Sequence, residues 1–388
     1  MVFVPRFQYT NRLVRDLTVV EAARAVIDLL PLPPDTSLRL RHDALQRSTR
    51  SSTQIEGNPL DPGAVRRAIA AGSRGGTDAE QEVRNYWRAL DRVEEFAARW
   101  QPSTEAFVRE LHRIVIVRGA GRRGRESPYR TTECPVVDTV TGVIEYGPPK
   151  PQDVAPLMAD LFAWLHSAAA AELPAPVRAG ILTHRFLSIH PFDDGNGRTA
   201  RLLATVELWR SHYRMRGFLS FDEYFSADRG RYYATLQMGL PVNFYEGRHD
   251  PDHTPWLEYF AGILSQAAAS LHQRAAGLHQ AGRPAAPPWE GLSRREQQVL
   301  TRILSRALET VPRATEIQAA DIEAWFGVSG NTAREWLGGW AGSGLLTAIR
   351  GAGGVRVRRY RLAKRWSRLV DQAKQAIADN TSRRETPR

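Results

Sequence analysis

The stretch HPFDDGNGRTARLL, residues 190–203, constrains this chain more than any other. Before it runs PVRAGILTHRFLSIH, 176–190, whose Ile181, Leu182, Phe186, Leu187 and Ile189 recur at helical spacing, and after it TARLLATVELWRSHY does the same. The chain is therefore expected to run helix, tight loop, helix. Gly195 and Gly197 permit a backbone curl that leaves successive N–H groups pointing inward, and the second helix adds its positive end there. Arg198 and Arg201, three apart, share one face of that helix. Two guanidiniums over such a curl suit paired phosphate groups. Asp194, just before it, can hold a Mg²⁺ ion that bridges phosphate oxygens. His190, across the loop, can take a proton from an incoming hydroxyl. Together these residues point to nucleotide phosphate binding beside a nucleophile-activating base. Asp193 is expected to face solvent, and His184, on the apolar face of its helix, to be structural.

The rest of the composition bounds what surrounds this loop. A length of 388 residues with 42% apolar and 24% charged residues fits one to three globular domains. A single cysteine, Cys134, excludes an intrachain disulfide and a cysteine metal cluster. Neither a signal peptide nor an apolar run long enough to span a membrane is visible, so the expectation is a cytoplasmic protein with no membrane partner. The net charge of +11 is uneven: residues 292–388 hold 18 basic and 9 acidic residues, so nearly all the excess lies in the last quarter. That asymmetry suggests a polyanion partner for that part.

Long helices are expected over most of the first 278 residues, including TVVEAARAVIDLL and PQDVAPLMADLFAWLHSAAA. One strand signal stands out. ECPVVDTVTGVIEYGPP, 133–149, has two β-prone runs around a turn with Asp138 and Gly142 and reads as a hairpin. The proline-rich segment 281–291 reads as a stiff linker, and the tail has no apolar anchor and is expected to be disordered.

Residues 190–201 match the Fic signature, HxFx(D/E)GNGRxxR, at every defined position, so the chain resembles the Fic family. The resemblance implies a mainly α fold, the Fic helical fold with a small β-hairpin flap, and transfer of AMP from ATP to a Ser, Thr or Tyr hydroxyl of a protein target, with release of pyrophosphate. It implies His190 as catalytic base and Phe192 as the apolar anchor of the loop. Asp194 would be the Mg²⁺ ligand, and Gly195, Asn196, Gly197, Arg198, Thr199 and Arg201 would bind the nucleotide. Gly197 matters for reaction type, because the related Doc-type kinases carry lysine there and transfer phosphate. The hairpin resembles the Fic flap, which holds the target by strand addition, with Val143, Ile144, Glu145 and Tyr146 beside the nucleotide. RGRYYATLQ resembles the family's paired tyrosines near base and ribose, here Tyr232 and Tyr233. Leu240 stands where an asparagine is frequent, which leaves the base contacts open. The likeness covers residues from about 20 to 278.

A shorter pattern lies upstream. Ser52 to Gly57, STQIEG, fits (S/T)xxxE(G/N), which resembles the inhibitory helix of Fic proteins. Glu56 could pair with Arg201 and keep it from the γ-phosphate, with Ser52 part of the same inhibitory motif.

After the linker, LSRREQQVLTRILSRAL, TEIQAADIEAWFGV and SGNTAREWLGGWAGSGLL read as three helical segments, and TAIRGAGG with VRVRRYRLA as strands around a glycine-rich turn. The order resembles a winged helix-turn-helix domain. Ser329 would cap the recognition helix, Asn331, Thr332 and Arg334 would line its exposed start, and Arg356 and Arg358 would belong to the wing, with DNA as partner. The expected division is residues 1–100, an N-terminal helical region with the inhibitory helix; 101–278, the catalytic core; 279–291, the linker; 292–366, the winged helix; and 367–388, a helix end and tail. A homodimer is compatible with both resemblances. Two other functions stay open on the residues: a DNA-binding regulator whose core senses nucleotide, and removal of AMP from a modified protein, with Glu56 orienting water.

Overall fold

The computed structural model describes residues 3–29, 34–72, 76–99, 102–116, 127–137, 141–280, 292–308, 315–350 and 357–368. The expected linker at 281–291, the tail from 369, the turn residue Asp138 and the wing residue Arg356 lie outside them. The first half contains α1 (Asn11–Leu29), α2 (Pro34–Ile55), α3 (Pro62–Ala71), α4 (Asp78–Ala97) and α5 (Glu105–Ile116). A hairpin of β1 (Val136–Val137) and β2 (Ile144–Tyr146) follows. Then come α6 (Pro151–Leu165), α7 (Ala168–Ala171), α8 (Ala175–Ile189), α9 (Asn196–Arg210), α10 (Asp222–Ala227), α11 (Arg229–Gln237) and α12 (Thr254–Gln280). The last part holds α13 (Arg294–Leu308), β3 (Glu316–Ile317), α14 (Ala319–Phe326), α15 (Gly330–Gly342), β4 (Leu346–Arg350) and β5 (Val357–Leu362). The fold is mainly helical with small antiparallel sheets, as the periodicity and the single hairpin signal led one to expect. Among the described residues no helix is long and apolar enough to cross a membrane.

Two compact units form. The first comprises Met1–Leu29, Arg47–Pro59 and Ala89–Arg274. Its centre is the pair α8 and α9, each buried on nearly every side. A helix buried all round cannot place its polar residues in water, so they must be paired inside. Arg178 of α8 and Glu207 of α9 show how. The Arg178 Nε donates to Glu207 Oε1, and its other nitrogens reach the Ala170 and Leu173 carbonyls and Ser211 Oγ. Arg210 closes on the other Glu207 oxygen at 2.6 Å. The continuous segment expected over 151–170 is broken in two because Ser167 turns its hydroxyl onto the Ala170 N–H and starts α7 anew.

The second unit comprises Leu30–Gln46, Leu60–Arg88 and Ala275–Arg388. A core of Val299, Ile303, Ile322, Trp325, Leu337, Trp340 and Leu362 joins α13, α14, α15 and the sheet. That sheet has the order β3-β5-β4, antiparallel throughout. Sequence periodicity did not show β3. Two residues carry no local signal, and Glu316 and Ile317 are extended because they pair with Arg361 and Tyr360 of β5. α14 then starts where Asp321 Oδ2 accepts the Gln318 N–H at 2.9 Å, and α15 where Ser329 Oγ accepts from the Thr332 N–H at 3.3 Å.

The buried Arg178–Glu207–Arg210 cluster gives a stability prediction. Glu207 is wholly buried, so Glu207→Ala leaves two guanidiniums with no carboxylate and should lower the unfolding free energy by about 3 kcal/mol. Denaturant melts of wild type and variant measure this directly, and a loss under about 1 kcal/mol would contradict it.

Candidate functional site

The loop between α8 and α9 is held from three directions. α8 ends at His190, whose backbone is left-handed at φ 50° and ψ 60°. That conformation strains a residue with a side chain and is kept only when the surroundings impose it. Arg130 imposes it here. Its Nε donates to the His190 carbonyl at 2.8 Å, its own N–H to the Pro191 carbonyl at 2.9 Å, and its Nη1 to the Thr132 carbonyl at 3.0 Å. Phe192 is buried and stacks on His112 at 3.6 Å between ring centroids, while His112 Nε2 meets the Asp194 carbonyl at 2.7 Å. The Asn196 amide bridges the loop, donating to the Phe192 carbonyl at 2.7 Å and accepting its N–H at 3.1 Å. Gly195 has φ 75°, and a Cβ there would press on Ile116 Cγ2 at 2.9 Å. The loop therefore needs glycine for both its twist and its seat on α5.

Beyond the loop, a cavity of about 170 Å³ opens. His190, Gly197 and Arg201 line it, as do Glu145 and Tyr146 from the hairpin, Tyr232 and Tyr233 from α11, and Glu56 from the turn after α2. Asp194 and Arg198 stand beside it rather than in its wall. Asp194 is exposed and its Oδ1 accepts from Arg198 Nη2 at 3.1 Å. Thr199 is fully buried in the first turn of α9. In the hairpin, Val143 and Ile144 are exposed, whereas Tyr146 is buried with its hydroxyl donating to the Ser188 carbonyl. Asp193 is exposed.

Glu56 reaches Arg201 from 145 residues away. α2 ends at Ile55, and the Glu56 and Gly57 N–H groups close on the Thr53 and Gln54 carbonyls in a turn. Gly57, at φ 94°, stops the helix there. The turn places the Glu56 carboxylate at 2.8 Å from Arg201 Nη2. Ser52, one turn earlier in α2, adds its hydroxyl to Arg201 Nε at 2.7 Å and its carbonyl to Nη2 at 2.8 Å. The guanidinium is nearly inaccessible at 1% exposure, against 28% for the Glu56 side chain. A side chain on Gly197 would collide with the Glu56 carboxylate.

The electrostatics follow from burial. His190 is pushed down to about 4, first by desolvation and then by the Arg130 charge. Its imidazole is thus neutral and able to accept a proton at neutral pH. His184 lies well below the ordinary value, again by burial and then by neighbouring His253, and its Nε2 meets the Leu236 carbonyl at 3.2 Å. His184 also lines the cavity, with Leu187, Leu236, Gln237 and Arg248. The sequence marked Leu187 only as part of an apolar helix face and did not single out Leu236, Gln237 or Arg248, because nothing in their local spacing marks them. Tyr232 is raised to about 12 by burial, so it is a neutral phenol.

In the second unit the proposed recognition-helix residues share the start of α15. Asn331 and Arg334 are exposed, and Arg334 Nη1 donates to Asn331 Oδ1 at 2.6 Å; Thr332 is half-buried. Arg358 lies on β5.

Parts of the chain are similar to known proteins. Residues 102–208 match the Fic/DOC family. The matched Fic segment contains the whole loop and most of α9, but neither Glu56 nor the α11 tyrosines. A relative from Drosophila willistoni, "Protein adenylyltransferase Fic", is 28% identical over 202 residues, which is 51% of this chain and 39% of that protein. The chain thus spans about two-fifths of that relative's length. Among solved structures, a Fic domain containing signaling protein from Bacteroides thetaiotaomicron superposes with TM-score 0.57 at 24% identity, over 68% of this chain and 97% of that one. A Fic family protein from Desulfovibrio desulfuricans covers 93% of this chain and 99% of its own, with TM-score 0.57 at 21% identity. At these identities the structures show a shared fold.

One titration checks the electrostatics of the site. In the nucleotide-free protein the His190 imidazole resonances should stay at their neutral position down to pH 5 and move only near 4. The sign follows from burial, which disfavours the cation. An NMR titration midpoint at the ordinary histidine value would contradict it.

Proposed function

We propose that the chain is a protein adenylyltransferase, moving AMP from ATP to a Ser, Thr or Tyr hydroxyl on a protein target and held in check by Glu56. The observation that carries this reading is the convergence of His190, Gly197, Arg201 and Glu56 on one cavity. In this reading Arg201 and Arg198 hold the outer phosphates, and the N–H groups at the start of α9 add to their charge. His190 takes the proton of the target hydroxyl as its oxygen attacks the α-phosphorus. The bond to the β-phosphate oxygen breaks and pyrophosphate leaves. Asp194 fits the single carboxylate that Mg²⁺ takes when phosphates complete its shell, since its side chain is exposed beside Arg198. Bound there, the ion would supply charge neutralisation. The exposed Val143 and Ile144 in the hairpin are suited to adding a target strand at the open edge.

Glu56 acts by occupation. Arg201 Nη2 cannot meet the Glu56 carboxylate and a γ-phosphate at once. ATP then lacks one of the contacts that align it for attack. The basic module after residue 292 supports a second proposal, that it is a winged helix-turn-helix that contacts DNA through Asn331, Thr332, Arg334, Arg356 and Arg358. The exposed start of α15 and the local charge excess support it.

With ATP and Mg²⁺, Glu56→Gly should raise AMP-sized self-modification roughly tenfold or more, the scale of one charge-assisted hydrogen bond. Adding His190→Ala should lower it by about 10²–10⁴. Intact-mass spectrometry reads both; an unchanged signal in Glu56→Gly rules out the brake, and a persistent signal without His190 rules out the base. For the second module, DNA affinity measured against salt should fall with a slope of roughly −3 on a log–log plot if Arg334, Arg356 and Arg358 each neutralise a phosphate. A flat slope would point to a protein partner instead.

A further inference from the structure

Arg201 has a second carboxylate neighbour, which nothing in the local sequence connects with it. Asp222 opens α10, twenty-one positions beyond Arg201, in the apolar run FLSFDEYF. Its Oδ1 lies 3.8 Å from Arg201 Nε, with the two side chains at 2% and 1% exposure. Among the described residues that oxygen accepts no hydrogen bond. Around it, Ser48 Oγ meets Ser220 Oγ at 3.2 Å, and Arg47 pairs with Glu223 at 3.2 Å, so this part of α2 is fastened to the segment that carries Asp222.

The two carboxylates differ in kind. Glu56 sits on a turn, is 28% exposed and touches the Nη2 edge of the guanidinium. Asp222 sits in the core and faces the Nε edge, from which it cannot move without unpacking α10. Only the first can give way to a phosphate. From this geometry, and on the footing that Arg201 receives the outer phosphates of a nucleotide, we infer that Asp222 is a positioning residue: it is the fixed counter-ion that keeps the Arg201 guanidinium aimed at the cavity once Glu56 has withdrawn.

The energetics are those of a group kept at a cost. Burial raises Asp222 to about 6 in spite of the opposing pull of Arg201 and Ser48. Above that pH the folded protein holds a carboxylate that water would solvate better. A folded pKa above the unfolded one means that this residue's contribution to stability falls as pH rises through 6. A neutral isostere relieves that cost but leaves the buried Arg201 without this carboxylate, so the reading that separates the roles is the aim of Arg201 and not the stability of the fold.

The test uses the full chain and calorimetric titration with ATP and with AMP, which lacks the outer phosphates. Glu56→Gly is the parent. Adding Asp222→Asn should weaken ATP binding roughly tenfold or more, as expected for a lost charge partner. AMP affinity should stay within about twofold, so discrimination between the two nucleotides collapses. Asp222→Ser, which removes the charge without adding an amide, should repeat the pattern if the first variant folds poorly. Unchanged ATP binding or equal weakening of both nucleotides would each overturn the assignment of Asp222 and leave the nucleotide site standing. A Glu56→Gly parent that binds no ATP would overturn the nucleotide site, and the role of Asp222 with it.

Discussion

A buried guanidinium is the constraint on which the first unit depends. Arg201 lies inside α9 at 1% exposure, where an unpaired charge would cost several kcal/mol. The chain answers with ligands drawn from distant segments: Ser52 and Glu56 at the end of α2, and Asp222 at the start of α10. Satisfying one cation thus draws three segments to one point. The same point borders the cavity, so the group that the fold must neutralise is also the group that an anionic ligand would find. On the proposed reading, an internal carboxylate and an external phosphate would compete for it.

The loop before α9 shows a different economy. His190 stands in a left-handed conformation that a side chain resists, and Arg130 stabilises it through backbone carbonyls rather than through the ring. The imidazole remains on the cavity wall, neutral because burial and the same Arg130 charge disfavour its cation. Asn196 spends its amide on Phe192, and Phe192 spends its ring on His112. Several residues of the motif therefore shape the loop, and fewer face the cavity. Motif residues that are equally fixed in spacing can have quite different work.

How much was legible in the sequence varies with the range of the interaction. The α8–loop–α9 order could be read from apolar spacing and two glycines, since both are local. The hairpin could be read from its β-prone runs, and the cap of α15 from Ser329. The pairing of Glu56 with Arg201 was reachable only through the likeness of a six-residue pattern to a known one. Asp222, Arg130, Gln237 and Arg248 were not reachable at all. Their significance arises from neighbours twenty or more residues away or across a helix end, and periodicity within a segment says nothing about such neighbours. β3 was missed for the same reason, because two extended residues are defined by the strand they pair with.

The sequence by itself determined that residues 176–210 form two helices about a glycine-bearing turn, that groups suited to phosphate cluster there, and that positive charge gathers after residue 292. Apolar period, glycine placement and charge are properties of neighbouring residues, and they survive in the unfolded chain. Only the tertiary structure decided which carboxylates Arg201 meets, which motif residues face the cavity, and which histidine is held neutral on its wall. Those are consequences of burial and of through-space distance, and a charge acquires a partner and a shifted pKa only when folding has removed the water around it.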